Sequence, residues 1–279
     1  MIVYNMTNQL DQKCLMCDTP NIDFFKGLKN IVKCKNCLSV YTIEPFPDNT
    51  CHTDIKFTPT TLQKFYAKRV HHFVSNLDSK AYLGYLKEKT TMQFKNALDI
   101  GTGYGTMVRD LNKLGINAYG IESNEHAFRL SATDKIEHTN FDINFKSDQK
   151  FDLICISQVI YFFRDTTSIL KMLMDMLNPN GVLFIVTTNT DSSLLTKESI
   201  GPRPASLNMI AGSNFYKNLN GIGFDLLDIS VFRSNIGVDM HPSKNKKLEF
   251  IKYRLGLKKG FVKDPDGQQM FILLKKSIK

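Results

Sequence analysis

Two constellations in this sequence have the residue types and spacing to do chemistry. The first is Cys14-Leu-Met-Cys17 and Cys34-Lys-Asn-Cys37, two Cys-x-x-Cys knuckles with sixteen residues between them. Thiolates two residues apart can grip one ion from a tight turn, and two knuckles complete the tetrahedral sulfur shell of a structural zinc. Cys14, Cys17, Cys34 and Cys37 are therefore the candidate ligands, with Zn2+ the expected ion; redox-active Cys-x-x-Cys pairs are the alternative. Cys51-His52 could substitute for a ligand, but the four-cysteine set needs no fifth. The opening "MIVYNMTNQLDQK" lacks the basic-then-apolar order of a secretion signal, so a disulfide framework is the weaker explanation. Cys155 sits inside an apolar run and reads as an inert core residue.

The second constellation runs from Asn96 to Asn124. An apolar stretch carrying Asp99 leads into Gly101, Gly103 and Gly105, then a helical stretch, then a second apolar run ending in Glu122. A strand that enters a glycine-rich turn and then a helix builds a pocket at the strand's carboxyl end. Glycines let a ligand approach the backbone there, and the helix start offers free N–H groups. A dinucleotide site wants Gly-x-Gly-x-x-Gly, whose last glycine allows close helix packing. Here Thr106 stands in that place and the third glycine comes one residue early.

"LDIGTGYG" resembles motif I of the class I S-adenosylmethionine-dependent methyltransferases, and "AYGIESN" is similar to their second motif. "FDLICISQVIYFF" and "LNPNGVLFIVTTN" resemble the fourth and fifth strand motifs, and "NLNGIGFDLLDIS" the entry to the sixth strand. The resemblance implies that Gly101, Gly103 and Gly105 border the methionine part of the cofactor and that Asp99 serves its amino group, directly or through water. It implies that Glu122 accepts hydrogen bonds from the ribose hydroxyls and that Asp142 meets the adenine amino group, with Asn140 a rival. "IVKCKNCLSVYTIEPFP" followed by "LQKFYAKRV" is similar to the zinc-ribbon front of a subgroup acting on sugars, nucleotide-sugars or other small metabolites. Two departures stand out. Leu38 replaces a glycine after the last ribbon cysteine, and "GPRPASLNMIAGSNFY" has no histidine where those relatives often carry one.

The elements that must position these residues follow from periodicity. Apolar residues at helical spacing predict a helix within Thr60–Lys89. Strand-like runs are expected at Ala97–Ile100, Ala118–Glu122, Lys135–Thr139, Phe151–Ser157, Val182–Thr187, Phe224–Phe232 and Met270–Lys275. Helical stretches alternate with the first five, which predicts an α/β fold with a doubly wound, mostly parallel, seven-stranded sheet. The last two runs lack a crossover helix and are expected to pair antiparallel. The expected organisation is a zinc ribbon over 1–48, a helical linker or cap over 49–92, and a methyltransferase domain over 93–279 with a basic insertion at about 234–267.

The formal charge is +9 and uneven: residues 241–279 hold eleven Lys or Arg against three Asp or Glu, about +8 of the total. Such a tail could meet phosphates on RNA, on a nucleotide-linked substrate or on an anionic membrane, or form a solvated face. No run approaches the roughly 20 apolar residues of a membrane span, and a cytoplasmic protein is expected. "SQVIYFFRD" after the fourth strand lacks both the Asn/Asp-Pro-Pro-Tyr/Phe signature of amino methylation and a Pro-Cys nucleophile. Tyr161 lies near the expected acceptor and could steer or deprotonate it, or merely pack the wall; His126, Arg203 and Arg233 are weaker candidates. The expected activity is methyl transfer to a small molecule or glycan precursor. The alternatives are an RNA methyltransferase that uses ribbon and tail to grip phosphates, and a non-catalytic zinc-dependent interaction protein.

Overall fold

The computed structural model describes residues 13–14, 19–20, 22–25, 31–37, 40–42, 68–163, 165–193, 221–235, 246–255 and 257–277. Three short strands come first: β1 (Ile22–Phe24), β2 (Ile31–Cys34) and β3 (Val40–Thr42). They form an antiparallel sheet in which Ile22 faces Cys34 and Lys33 faces Val40. Its core is Ile22 and Val32 packed with Cys14, Cys34 and Cys37. Phe25, Ile31 and Val40 are buried there as well among the described residues, and modules of this size usually need a metal or disulfide in addition to such a core.

Helix α1 (Lys68–Lys89) leads into the second sheet. The chain then runs through β4 (Asn96–Ile100), α2 (Thr106–Lys113), β5 (Asn117–Glu122), α3 (Glu125–Arg129) and β6 (Ile136–His138). It continues with β7 (Phe151–Ser157), α4 (Thr166–Met176), β8 (Leu177–Thr188), β9 (Phe224–Ser234), α5 (Lys246–Arg254), β10 (Phe261–Lys263) and β11 (Gln269–Lys276). The strand order is β10-β9-β11-β8-β7-β4-β5-β6. Strands β8, β7, β4, β5 and β6 are parallel; β11 enters antiparallel between β8 and β9.

The expected α/β, mostly parallel fold is present, with eight strands instead of seven. The extra strand is β10, which pairs Phe261–Lys263 with Phe232–Ser234 at the edge. Three residues that include Lys263 carry no alternating pattern, so periodicity does not reveal them. The basic insertion thus contains α5 and β10, and β11 lies inside the sheet.

Side-chain alternation along the strands divides the core in two. One face gathers Leu98, Ile100, Ile154, Ile156, Leu183 and Ile185 beneath Ile169, Leu170 and Leu173 of α4. The other gathers Ala97, Leu153, Cys155, Phe184 and Phe271 beneath Tyr82, Tyr85 and Leu86 of α1 and Val108 and Leu111 of α2. The rings of Tyr82 and Tyr85 each lie 5.3 Å from Phe271, centroid to centroid, and Tyr85 also donates its hydroxyl to Asp228 at 2.6 Å. Aromatic pairs of this geometry add about 0.5–1.5 kcal/mol each beyond burial, so α1 is held firmly on the sheet.

The chain winds outward from β4 through β5 to β6, then returns to β7 on the other side of β4. That reversal opens a crevice at the carboxyl ends of β4 and β7, where open α/β sheets bind ligands.

Candidate active site

The glycine turn occupies that crevice. The N–H groups of Gly101 and Thr102 both donate to the Ile121 carbonyl, at 2.8 and 3.1 Å, folding the turn back over β5. Gly101, Gly103 and Gly105 all have left-handed backbones, with φ of 65°, 58° and 68°. The reasons for glycine differ. A Cβ on Gly101 would lie 2.3 Å from Val159 Cγ2, and one on Gly105 would lie 2.3 Å from Ile136 Cδ1. A Cβ on Gly103 would meet nothing within 4 Å, so its bareness leaves a cradle open to the crevice. Gly105 starts α2 without a side-chain cap, which leaves the first helical N–H groups without a side-chain acceptor.

Two carboxylates flank this cradle. Glu122 ends β5 and accepts the Gly103 N–H on Oε2 and the Asn124 N–H on Oε1, both at 2.7 Å. Burial raises its carboxyl above the ordinary range, although these N–H bonds and His138 pull the other way. Asp99 is 4 % exposed and accepts the Thr102 hydroxyl at 2.6 Å. Burial pushes its carboxyl up to about 7, the Thr102 bond opposes this, and the charge of Glu122 adds to it. Asp99 is paired across the sheet with Cys155, and Cys155 with Phe184, so all three point to the α1 side. Burial, with Asp99 beside it, holds the Cys155 thiol far above its usual range, so this cysteine is no nucleophile.

Between this strand row and α1 lies a cavity of about 170 Å³. Its lining adds Ser75, Asp78, Ser79 and Tyr82 of α1, and Ser157 and Gln158 beyond β7, to Asp99 and the glycine turn. Motif reading missed Asp78 and Gln158. The signal for Asp78 was a polar stripe, because Ser75, Asp78, Ser79 and Tyr82 share one helix face. Gln158 carries a signal visible only in three dimensions: φ of 58° in a residue other than glycine, and a buried Nε2 without a partner among the described residues.

The remaining candidates are more scattered. Asp142 and Asn140 are exposed beyond β6, and Asp142 accepts the Asn144 N–H at 2.7 Å. Tyr161 falls in the short 3-10 turn Ile160–Phe162, and its side chain lies outside the described residues. His126 is exposed in the first turn of α3. Arg233 is engaged by Asp264 at 2.6 Å, while Arg203 lies outside the described residues.

In the N-terminal module the sulfurs of Cys14, Cys34 and Cys37 lie within 4.8 Å of one another, with Cys14 and Cys37 at 3.6 Å. Tetrahedral zinc with bonds of about 2.3 Å brings its sulfurs to about 3.8 Å, so the triad has the right dimensions. Cys34 Sγ also accepts the Asn36 and Cys37 N–H groups at 3.3 and 3.5 Å, which favours the thiolate a metal requires. Cys17, Cys51 and His52 lie outside the described residues. Lys33 of β2 pairs with Asp191 just beyond β8 at 2.8 Å, placing the module at the sheet end where the crevice opens.

The profile of the family described as "Methyltransferase domain" matches residues 60–229, more than half of the chain. The chain belongs to that methyltransferase family. It is an S-adenosylmethionine-dependent methyltransferase of the class I fold, which sets aside the non-catalytic alternative. The methyltransferase is 24% identical over 183 residues to a ubiquinone biosynthesis O-methyltransferase of Coxiella burnetii, covering 59% of this chain and 75% of the relative. It is 30% identical over 122 residues to the enzyme of that name from Actinobacillus pleuropneumoniae, covering 38% and 52%. Its fold matches a SAM-dependent methyltransferase from Thermotoga maritima with a TM-score of 0.55 at 15% identity, over 81% of this chain and 99% of the other. The plantazolicin methyltransferase, solved with a desmethyl plantazolicin analogue and S-adenosylhomocysteine, matches with a TM-score of 0.53 at 20% identity, over 81% and 93%.

Proposed function

We propose that this methyltransferase moves a methyl group from S-adenosylmethionine to a small-molecule acceptor, of the sugar, nucleotide-sugar or similar hydroxylated class. The observation that carries the reading is the open cradle at Gly103 with the Glu122 carboxylate beside it. Glu122 binds the ribose hydroxyls, Gly101, Gly103 and Gly105 border the methionine part, Asp99 serves its amino group, and Asp142 or Asn140 meets the adenine.

S-adenosylmethionine supplies a methyl carbon on a sulfonium sulfur, so the protein's chief task is alignment of an attacking atom behind that carbon. The lone pair of the acceptor forms the new bond as the carbon–sulfur bond breaks. A hydroxyl acceptor also has to lose its proton, and Tyr161 is the candidate to steer it or accept that proton.

Three features favour a small acceptor. Helix α1 roofs the crevice, and the Lys33–Asp191 pair sets the cysteine module beside its mouth. Strand β10, in the basic segment, sits five strand positions from β4, roughly 24 Å at about 4.8 Å per strand. The named roles of the O-methyltransferase relatives also point to small-molecule chemistry. One zinc held by Cys14, Cys17, Cys34 and Cys37 gives the module its fold.

The charge of about +8 over residues 241–279 favours a second reading, RNA methylation. Labelled methyl donor offered with total RNA and with a panel of nucleotide-sugars separates the two. Label is expected in the small-molecule panel. Label in RNA, with affinity falling steeply as added salt lowers the entropy gained when binding releases counterions, would reverse the order.

A further inference from the structure

We propose that helix α5 and the turn after it form a docking surface for an anionic membrane. Four aliphatic side chains enter the lipid interface there, and the basic residues around them meet its phosphates. None of these residues is in the described lining of the crevice cavity, so the surface stands apart from the cofactor site.

Leu248, Ile251 and Leu255 follow one another at i, i+3 and i+7, the spacing of a single helix face. That face points away from the protein, for the three residues are 48 %, 53 % and 67 % exposed. Tyr253, two residues from both Ile251 and Leu255, lies on the opposite face and is buried. Its ring packs 6.2 Å from Phe73 of α1, with Val74, Leu77 and Phe261 also against it. Helix α5 is therefore seated on α1 through Tyr253 and turns its aliphatic stripe outward. The Leu257 N–H donates to the Lys252 carbonyl at 2.9 Å, a closure that brings Leu257 back to the last turn, where it is 75 % exposed. Single apolar residues at a surface need no explanation, but a contiguous stripe of them marks an interaction site.

Charge names the partner. Residues 246–263 hold seven Lys or Arg against the single Glu249. Arg254, just before Leu255, and Lys259, just beyond Leu257, are both exposed. Aliphatic residues bordered by cations suit the surface of an anionic membrane: leucines bury themselves among the headgroups while lysine and arginine meet lipid phosphates. A second copy of this chain fits poorly, because a twofold contact would set each basic rim against its own image. RNA would use the cations but gains little from the stripe, since bases stack on aromatic rings and not on leucine or isoleucine.

Length sets the depth of the contact. Among the described residues no helix is long and apolar enough to cross a membrane. Helix α5, nine residues long, extends about 14 Å, less than half of a hydrocarbon core of about 30 Å. It lies on the bilayer instead of spanning it, and so few inserted side chains make the attachment reversible.

Co-sedimentation of the full-length protein with lipid vesicles tests the surface. Two compositions serve: phosphatidylcholine alone, and phosphatidylcholine with about one-third phosphatidylglycerol. The wild type is expected to sediment with the anionic vesicles at low salt and to stay in solution with the neutral ones. Leu255→Ser combined with Leu257→Ser should weaken that binding by about tenfold or more, through loss of inserted apolar groups. Arg254→Ala combined with Lys259→Ala should weaken it by about fivefold for each cation removed. All four positions are exposed, so both double variants should keep the wild-type melting temperature, and Ile251→Ser provides a third variant with the same expected direction. A wild type that ignores anionic vesicles would overturn the proposal. So would vesicle binding that the leucine variant retains in full, which would reduce the contact to charge attraction alone. A dimer that the leucine variant dissociates, without vesicle binding, would assign the stripe to a second copy instead. Total RNA that binds the wild type more tightly than anionic vesicles do, and the leucine variant equally well, would assign the cations to RNA and also overturn it.

Discussion

Glu122 and Gly103 are joined by a 2.7 Å hydrogen bond from the glycine N–H to Oε2, while Oε1 takes the Asn124 N–H at the same distance. One carboxylate thus ties the glycine turn after β4 to the start of α3 after β5. Ribose hydroxyls would use the remaining lone pairs of the same oxygens.

Replacing Glu122 by Gln keeps the size and removes the charge. Two charge-assisted bonds weaken together, so S-adenosylhomocysteine affinity is expected to fall about ten- to hundredfold by calorimetry. The change should also weaken 5′-methylthioadenosine, which keeps the ribose and lacks the aminoacyl end. Intact affinity would remove Glu122 from the site.

Gly101→Ala and Gly103→Ala should fail in different ways. Both put alanine at positive φ, at about 1–2 kcal/mol. Only Gly101 adds a clash, its Cβ meeting Val159 Cγ2 at 2.3 Å, and overpacking costs about 1–3 kcal/mol more. Gly101→Ala is expected to lower the melting temperature by the larger step. Gly103→Ala should melt closer to the wild type and lose cofactor binding, since its methyl group fills the open cradle. Equal melting and equal binding in the two variants would contradict this division.

Asp99 predicts a pH dependence with a definite sign. Its folded carboxyl is raised from 3.8 to about 7, so the folded protein holds a proton that the unfolded chain has released. That contribution to stability is complete at low pH and is lost as pH rises through about 7. Urea unfolding of the free protein at pH 5 and pH 8 should show the loss, and Asp99→Asn should reduce it, leaving the part contributed by Asp78, whose carboxyl is also raised to about 7 by burial. Affinity for S-adenosylhomocysteine should run the opposite way and rise between pH 6 and 8, because an ammonium prefers the ionised acid.

The cysteine module should carry one zinc per chain by elemental analysis. Cys34→Ser is expected to abolish it, since Cys34 Sγ is both a candidate ligand and the acceptor of two N–H bonds. The separate core beneath α1 and α4 should still melt cooperatively. A full zinc complement in Cys34→Ser would exclude this sulfur from the shell.

Sequence alone determined the fold class and the placing of its principal strands. Alternation with period 2 and helical runs with period 3.6 are local properties that burial on two faces imposes residue by residue. Gly101, Gly103, Gly105 and Glu122 were legible for a related reason, since positive φ, close approach and a strand-end carboxylate each restrict the residue type. The eighth strand was not legible, because β10 exists only through its pairing with β9. Nor could local pattern distinguish Gly103, whose Cβ would meet nothing within 4 Å, from Gly101 and Gly105, whose Cβ atoms would strike Val159 and Ile136. Asp78 looked like any polar residue on a helix. Only packing α1 over the row Asp99–Cys155–Phe184 turned it inward, because burial depends on residues distant in the chain.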